Sequence, residues 1–233
     1  MQILRFDELD STNAYAKRSC SLLADKTIII AQRQSAGRGR LDRKWISQEG
    51  GLYFSLLLKP SCTDFLPNLT QLMALCVCGS LRKWGADAVL KWPNDILVNR
   101  QKICGILSEA LFSPNGLQGV ILGVGINIKQ TDLSQAGQPA VSLKMLGLDA
   151  DEENLLNDVI KRFFDNYEEV LQKGFDAIRA PYLALFPYLG KQVKIKNGAQ
   201  DVTGEVQTIS PEGKLVLKTP EGFIEISIGD MMV

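Results

Sequence analysis

The sequence predicts an α+β protein, in which a mixed β-sheet packed with helices is followed by a small all-β domain. Between residues 27 and 128, apolar runs of strand length follow one another with short turns. Such connections favour antiparallel pairing, because a parallel crossover needs a dozen or more residues. Residues 66–84 and 151–174 repeat apolar side chains at helical spacing. After residue 187 short strand-like runs take over, separated by turns that contain Pro and Gly.

In chain order, the first element is a helix over residues 14–17, for which Ser11-Thr12-Asn13 supply the N-cap. The β-branched run at residues 27–31 predicts a buried strand, and a second strand follows at residues 52–58. The helix over residues 66–84 ends at Gly85, a natural C-cap. The remaining strands of the larger domain are predicted at residues 88–92, 96–98, 102–111 and 119–128, before the long helix at 151–174.

The last part of the chain predicts a small barrel of the SH3 type. Its strands are expected at residues 193–195, 204–209, 214–218 and 222–226. The predicted domains are therefore residues 1–187 and 188–233. Because so small a barrel is marginal alone, it is expected to pack on the larger domain.

Composition excludes several classes of protein. The chain has 26 basic and 26 acidic residues, so we expect no nucleic-acid partner and no membrane partner. The apolar runs are too short to span a bilayer, and the N-terminus has charges where a signal peptide would be apolar. The five scattered cysteines do not form a disulfide framework, and Cys76 and Cys78 are predicted as core residues. These features favour a cytoplasmic location.

The chain contains no histidine. This excludes Ser-His-Asp and Cys-His nucleophilic systems as well as zinc sites built on histidine. Any chemistry must therefore use Lys, Arg, Asp and Asn side chains together with backbone amides.

The segment from Gln34 to Trp45 carries the strongest chemical signal. Its glycines let the backbone approach a ligand, its arginines suit phosphate or carboxylate, and its tryptophan offers a flat face to a heterocycle. A solvated basic loop or an RNA contact is the alternative. The spacing matches neither a Walker loop nor G-x-G-x-x-G. The residues concerned are Gly37, Arg38, Gly39, Arg40, Arg43 and Trp45.

Three further segments add polar groups near strand ends. Asn94 and Asp95 would suit magnesium between phosphate oxygens, although a plain Pro-Asn-Asp turn is the favoured explanation when this segment is taken alone. Lys102 enters an otherwise apolar strand, where strict alternation places it on one face with Cys104 and Ile106. An anionic ligand would offset the cost of burying its ammonium group, and a strand-edge position is the alternative. The glycines of residues 123–127 would leave room for a flat ligand.

Together these segments resemble the catalytic domain of biotin–protein ligases. The resemblance rests on Ser11-Thr12-Asn13, the Gly-Arg-Gly-Arg-x-x-Arg-x-Trp loop at 37–45, Lys-Trp-Pro-Asn-Asp at 91–95, Lys-x-x-Gly-Ile-Leu at 102–107 and Gly-Val-Gly-Ile-Asn at 123–127. It covers nearly the whole chain and implies a class II synthetase-like biotin/lipoate ligase fold with a C-terminal SH3-like barrel.

The resemblance implies an enzyme that activates biotin with ATP as biotinyl-5′-adenylate. The enzyme then transfers biotin to a lysine of a carrier, such as the biotin carboxyl carrier subunit of acetyl-CoA carboxylase. ATP and Mg²⁺ are the expected cofactors, with no tightly bound prosthetic group. Because the pattern begins at Ser11, we expect a dedicated ligase without the DNA-binding domain of some family members.

The resemblance also implies roles for single residues. Lys102, Arg38 and Arg40 are the catalytic candidates. The biotin site is expected to comprise Ser11, Thr12, Asn13, Gln34, Gly37, Arg38, Lys102 and Gly105. The nucleotide site is expected to comprise Arg40, Arg43, Trp45, Asn94 and Asn127, and Asp95 is the candidate magnesium ligand.

The sequence is also compatible with two other functions. A lipoate or octanoate ligase or transferase would share the fold, although such relatives lack the loop at 37–45. A biotin-sensing regulator or an adaptor acting through its barrel is the non-enzymatic alternative. The sequence leaves both a monomer and a homodimer open.

Overall fold

The computed structural model describes residues 1–197 and 200–232. Its larger part is a seven-stranded mixed sheet with strand order β1-β2-β3-β7-β6-β5-β4. β1 and β2 are parallel, and every other neighbouring pair is antiparallel. The predicted mixed sheet is therefore confirmed. The strands are β1 (Ile3–Leu9), β2 (Thr27–Gln34), β3 (Gly51–Leu58), β4 (Val89–Lys91), β5 (Asp95–Val98), β6 (Gln101–Ser113) and β7 (Gly116–Asn127).

Helices cover both faces of this sheet. The large core lies between one face and two long helices, and a smaller apolar cluster lies under the first helix on the other face. The long helices begin and end where the sequence predicts, because Pro67 falls in the first turn of one, Asp151 caps the other, and Gly174 (φ 62°) ends it. The helices are α1 (Thr12–Arg18), α2 (Leu66–Lys83), α3 (Glu152–Lys173) and α4 (Arg179–Ala184).

A five-stranded antiparallel sheet follows α4, with order β11-β10-β9-β8-β12. Within the described residues its two outer strands do not pair with each other, and the sheet is consistent with the predicted SH3-like domain. The predicted range 188–233 includes residues 198–199 and 233, which lie outside the described residues. The boundary between residues 187 and 188 stays a prediction. The strands are β8 (Gln192–Asn197), β9 (Gln200–Ile209), β10 (Leu215–Thr219), β11 (Gly222–Ile226) and β12 (Asp230–Met232).

Three elements were not predicted: β1, α4 and β12. β1 is an edge strand that is largely exposed, and the three charged residues among its seven interrupt the apolar pattern that predicts a strand. β12 has three residues, too few for any periodicity to show. Across the described ranges 1–197 and 200–232, no helix has both the length and the apolar content needed to cross a membrane.

The small sheet is joined to the large core through the turn between β9 and β10. The Gly213 carbonyl accepts hydrogen bonds from Trp92 Nε1 (3.1 Å) and Gln71 Nε2 (2.7 Å). Trp92 is buried, and Gly213 has φ 81°, a conformation that glycine adopts without strain. The tryptophan of the Lys-Trp-Pro-Asn-Asp segment therefore fixes the small sheet against the site-bearing sheet.

The packing of α2 on α3 includes one partly buried carboxylate. Asp158 accepts hydrogen bonds from Ser80 Oγ (2.7 Å), Lys83 Nζ (2.9 Å) and Arg162 Nε (2.8 Å). Burial alone would raise the pKa of Asp158, but these donors outweigh burial and hold the pKa well below its usual value.

We expect Asp158→Asn to lower the free energy of unfolding by about 1–2 kcal/mol at pH 7. Because the folded-state pKa is depressed, the carboxylate stabilises the protein above its unfolded pKa of 3.8. That stabilisation is lost as the pH falls through the folded pKa. Urea unfolding at pH 7 and pH 3 measures this, with the exposed, ion-paired Asp165→Asn as control. A difference from wild type that does not shrink at pH 3 would contradict the assignment.

Candidate active site

One cavity of about 730 Å³, counting the part open to solvent, gathers most of the predicted site residues. It lies where the start of α1, the end of β2 and the loop after it meet β5, β6 and β7. The predicted residues on its wall are Ser11, Thr12, Asn13, Gln34, Arg38, Arg40, Arg43, Trp45, Asn94, Asp95, Lys102 and Gly105.

Two predicted residues, Gly37 and Asn127, lie behind this wall. A Cβ atom at Gly37 would lie 2.5 Å from the carbonyl oxygen of Trp45, and the Gly37 carbonyl accepts the Trp45 N–H (3.0 Å). Asn127 Nδ2 lies 3.4 Å from the Lys102 carbonyl and 3.2 Å from the Val141 carbonyl. Its side chain borders a smaller cavity that also contacts Trp45 and Lys102. Both residues support the wall from outside.

Lys102 reaches the cavity because β6 contains a bulge. Leu97 pairs with Lys102, whereas the preceding Ile96 pairs with Cys104, so Ile103 is an extra residue. Ile103 and Cys104 consequently both belong to the core. The prediction that Lys102 shares a face with Cys104 and Ile106 is wrong, since the inserted residue reverses the alternation. Lys102 instead lies beside Gly105. A Cβ atom at Gly105 would be 2.9 Å from the Cε atom of Lys102.

The ammonium group of Lys102 has a partner within the chain. Its Nζ lies 2.7 Å from Asp95 Oδ1, and both side chains are less than one-fifth exposed. This ion pair offsets the cost of burying the cation. In the part of the chain that the structure describes, no cluster of three or more His, Cys, Asp or Glu side chains could hold a metal ion. Asp95 therefore offers one carboxylate, which fits a Mg²⁺ ion that keeps water and phosphate ligands.

Trp45 forms the flat wall of the cavity. Its ring lies against Gly105 and Gly125, and a side chain at residue 125 would overlap its indole nitrogen. The Lys102 ammonium lies 5.3 Å from the ring centroid. The buried Nε1 atom has no hydrogen-bond acceptor among the described residues. The space beside the glycines of 123–127, which the sequence assigns to a flat ligand, is occupied by protein side chains: Trp45 at Gly125 and Asn13 at Gly123.

Two arginines of the loop, Arg40 and Arg43, are held by the small sheet. Asp230 of β12 forms an ion pair with Arg43 and lies 3.8 Å from Arg40 Nη1. Arg40 Nη1 also donates to Asn94 Oδ1 (3.1 Å) and to the Gly229 carbonyl (3.3 Å). Burial lowers the pKa of Arg40, although the carboxylate of Asp230 opposes this shift. The loop thus docks on the C-terminal sheet through charge.

The opposite end of the cavity is polar and uncharged. Gln34 Oε1 accepts the Thr12 N–H (2.8 Å), and Gln34 Nε2 donates to Ser47 Oγ (2.8 Å). Thr12 and Asn13 are buried at the start of α1, where Ser11 Oγ accepts the Ala14 N–H. This end can therefore bind an uncharged polar group by hydrogen bonds, while the other end is cationic.

Sequence reasoning missed three residues that belong to this arrangement: Ser55, Glu109 and Asp230. Ser55 interrupts the apolar run of β3, and a single polar residue in a buried strand is a usable signal. Glu109 lies two residues beyond the segment at 102–107, and its role depends on a contact to Asn13 (2.8 Å). Asp230 is far from the loop in sequence, so no local pattern indicates it.

The buried cysteines take no part in this site. Burial raises the pKa of Cys76 and Cys78 to about 12, and both side chains lie in the core. Thiols with such pKa values are poor nucleophiles at neutral pH. Their prediction as core residues is confirmed.

Sequence comparisons agree with this geometry. The sequence model of the family described as biotin/lipoate A/B protein ligase matches residues 5–127, and that of the biotin protein ligase C-terminal domain matches residues 188–233. The bifunctional ligase/repressor BirA of Bacillus subtilis is 31% identical over 98% of this chain and 73% of its own length. The biotin–[acetyl-CoA-carboxylase] ligase of Paracoccus denitrificans is 31% identical over 91% of this chain and 92% of its own length.

Solved structures share the whole fold. The biotin protein ligase of Aquifex aeolicus, in complex with biotin and ATP, superposes with a TM-score of 0.87 at 33% identity. The superposition covers 99% of this chain and 97% of that one. The biotin protein ligase of Leishmania major, at 20% identity and a TM-score of 0.66, supports the fold alone.

We expect Asp230→Asn to release the loop at 38–45 from the small sheet. Loss of the carboxylate leaves the two arginines with weaker partners, so loop amides should exchange about fivefold faster, as expected for an ion pair worth ~1 kcal/mol. Hydrogen exchange measured by mass spectrometry tests this. Glu225→Gln, which removes the Lys214 partner on the same sheet, is the control. Equal loop exchange in the two variants would rule out the docking role.

Proposed function

The chain belongs to the biotin/lipoate A/B protein ligase family, and we propose that it activates biotin with ATP as biotinyl-5′-adenylate. It then transfers the biotinyl group to a lysine of a carrier protein. The observation that carries the proposal is one cavity with a neutral hydrogen-bonding end at Thr12 and Gln34 and a cationic end at Lys102 and Arg40. Biotin has matching ends: a ureido ring and a carboxylate.

The neutral end is assigned to the ureido ring. Ser11, Thr12, Asn13 and Gln34 come from two elements that meet at this end, and all four border the cavity. Hydrogen-bonding groups that are already fixed by their neighbours lose little entropy on binding. Gly37 acts indirectly, by letting Trp45 approach closely. Arg38 lines the same cavity and is assigned to the biotin side.

The cationic end is assigned to the reacting groups. A carboxylate oxygen of biotin attacks the α-phosphorus of ATP, and the bond from that phosphorus to the pyrophosphate oxygen breaks. No general base is needed, because a carboxylic acid is already ionised at pH 7. The difficulty is the approach of two anions, which Lys102 and Arg40 relieve as preorganised cations. Gly105 allows close approach at the backbone.

The nucleotide is assigned to the loop side of the cavity. Arg40 and Arg43 hold phosphates, and Asn94 lies beside Arg40 at 3.1 Å. The Trp45 ring offers its face to the adenine. Asn127 acts from behind, because its side chain contacts the carbonyl oxygen of Lys102.

Magnesium is assigned to the ATP complex that enters the cavity. The ion would be held by the carboxylate of Asp95 and by the amide oxygen of the neighbouring residue Asn94. When bound, the ion neutralises phosphate charge during adenylate formation. Asp95 also holds Lys102 (2.7 Å), so the same carboxylate orients the cation that faces the reacting oxygen.

In the second step the amine of the acceptor lysine attacks the acyl carbon of the adenylate. The bond from that carbon to the phosphate oxygen breaks, AMP leaves, and the amine loses a proton. The family names support a biotin carboxyl carrier protein as acceptor, since the Paracoccus denitrificans relative is named a biotin–[acetyl-CoA-carboxylase] ligase. A homodimer, a cytoplasmic location and the lack of a nucleic-acid partner stay predictions.

ATP–pyrophosphate exchange with Mg²⁺ tests the proposal, with biotin, lipoate and octanoate as alternative acids. We expect exchange with biotin, because the neutral end offers hydrogen bonds that the other two acids cannot use. Exchange with lipoate or octanoate instead would move the chain to the sister activity of its family. Lack of exchange with all three acids would refute acyl-adenylate formation.

We expect Lys102→Ala to lower the rate of adenylate formation by about two to three orders of magnitude, the range for one preorganised electrostatic group. The measurement is single-turnover pyrophosphate release. Lys129→Ala removes a surface lysine that pairs with Glu152 and should leave the rate unchanged. A near-normal rate for Lys102→Ala would remove this lysine from the reacting centre.

A further inference from the structure

A chain of hydrogen bonds leads from Glu109 to the neutral end of the cavity. Asn13 Nδ2 donates to Glu109 Oε2 (2.8 Å) and lies 3.3 Å from the Leu107 carbonyl oxygen. A carboxylate and a carbonyl only accept hydrogen bonds. The amide of Asn13 is therefore fixed with its NH₂ group toward Glu109 and its oxygen toward Ser55.

The orientation of Asn13 determines where the hydroxyl protons point. Ser55 Oγ lies 2.6 Å from Asn13 Oδ1, which can only accept, so the single Ser55 proton is donated there. The Thr12 hydroxyl lies 2.7 Å from Ser55 Oγ and 3.2 Å from Gln34 Oε1. Both are acceptors for its proton. In either case the protons of Ser55 and Thr12 are used within the protein.

The chain of hydrogen bonds has little freedom to rearrange. Thr12, Asn13 and Ser55 are each at most 5% exposed. The Asn13 amide also occupies the space that a side chain at residue 123 would need, so Gly123 is required for its position. Buried and close-packed hydroxyls keep one proton arrangement because an unpaired proton or lone pair is costly there.

From these contacts we propose that Glu109 is a positioning residue that sets the hydrogen-bond polarity of the ligand's head site. Because the protons of Ser55 and Thr12 are donated to acceptors within the protein, Thr12 presents oxygen lone pairs to the cavity, and the site selects a head group with N–H donors. Glu109 does not border the cavity and acts through Asn13. The inference rests on the proposed function, in which a cyclic urea supplies those donors.

The test is Glu109→Gln in the pyrophosphate-exchange assay. A glutamine amide can donate as well as accept, so residue 109 no longer forces the NH₂ group of Asn13 toward itself. Only the Leu107 carbonyl (3.3 Å) then opposes a turned Asn13 amide, which would release the Ser55 proton from Asn13. We expect the KM for biotin to rise about tenfold, as for one mispaired buried hydrogen bond. The KM for ATP and kcat should stay within about twofold. Glu152→Gln, a surface glutamate paired with Lys129, is the matched control.

A double variant separates polarity from structure. When Asn13→Asp is combined with Glu109→Gln, the new carboxylate at position 13 accepts both the new amide at position 109 and the Ser55 proton. The original proton direction is thereby restored. We expect the KM for biotin to be at least threefold lower in the double variant than in Glu109→Gln alone. If Glu109 only stabilised the fold, the KM for biotin in the double variant would be at least as high as in Glu109→Gln.

The outcomes separate cleanly. An unchanged KM for biotin in Glu109→Gln would overturn the proposal. So would a raised KM together with a lowered urea midpoint and no recovery in the double variant. Biotin binding by titration calorimetry gives the same comparison without ATP. If wild-type protein binds biotin but does not exchange pyrophosphate, the proposed reaction fails, while the Glu109 comparison still stands or falls on the binding constants.

Discussion

Compensation of charge around one cavity is the constraint on which the arrangement of this protein depends. Arg40 and Lys102 are largely buried there beside the more exposed Arg43, and buried cations destabilise a fold unless carboxylates pair with them. The two carboxylates come from distant parts of the chain: Asp95 from β5 and Asp230 from β12. The position of the small sheet follows from this, because Asp230 must reach the arginine loop.

Backbone geometry delivers the groups that this constraint requires. The extra residue Ile103 turns Lys102 out of the core and toward Asp95. Gly125 lets Trp45 lie on the sheet, and the carbonyl of Gly213 accepts the Trp92 N–H. In each case one added residue or one absent side chain redirects or accommodates a large group. The site is therefore built on strands and their irregularities rather than on a flexible segment alone.

The two ends of the cavity have different roles in the proposed function. In that function the neutral end recognises shape and hydrogen-bond polarity, and its members hold one another in place through Gln34, Asn13 and Ser55. The cationic end would lower the cost of bringing a carboxylate to a phosphate. A reaction of this type needs no proton transfer in its first step, which accounts for an active centre in a chain without histidine.

From the sequence alone, the fold class, both long helices, most strands of the two sheets and twelve of the residues that line the cavity could be predicted. Those features depend on periodicity, caps and short motifs, which act within a few residues. Tertiary structure alone decided the direction of Lys102, the pairing of Arg43 with Asp230, and the chain from Glu109 through Asn13 to Ser55. One inserted residue reverses an alternation that counting assumes to be strict. Contacts between residues far apart in sequence leave no local pattern, because they arise only when separate elements pack together.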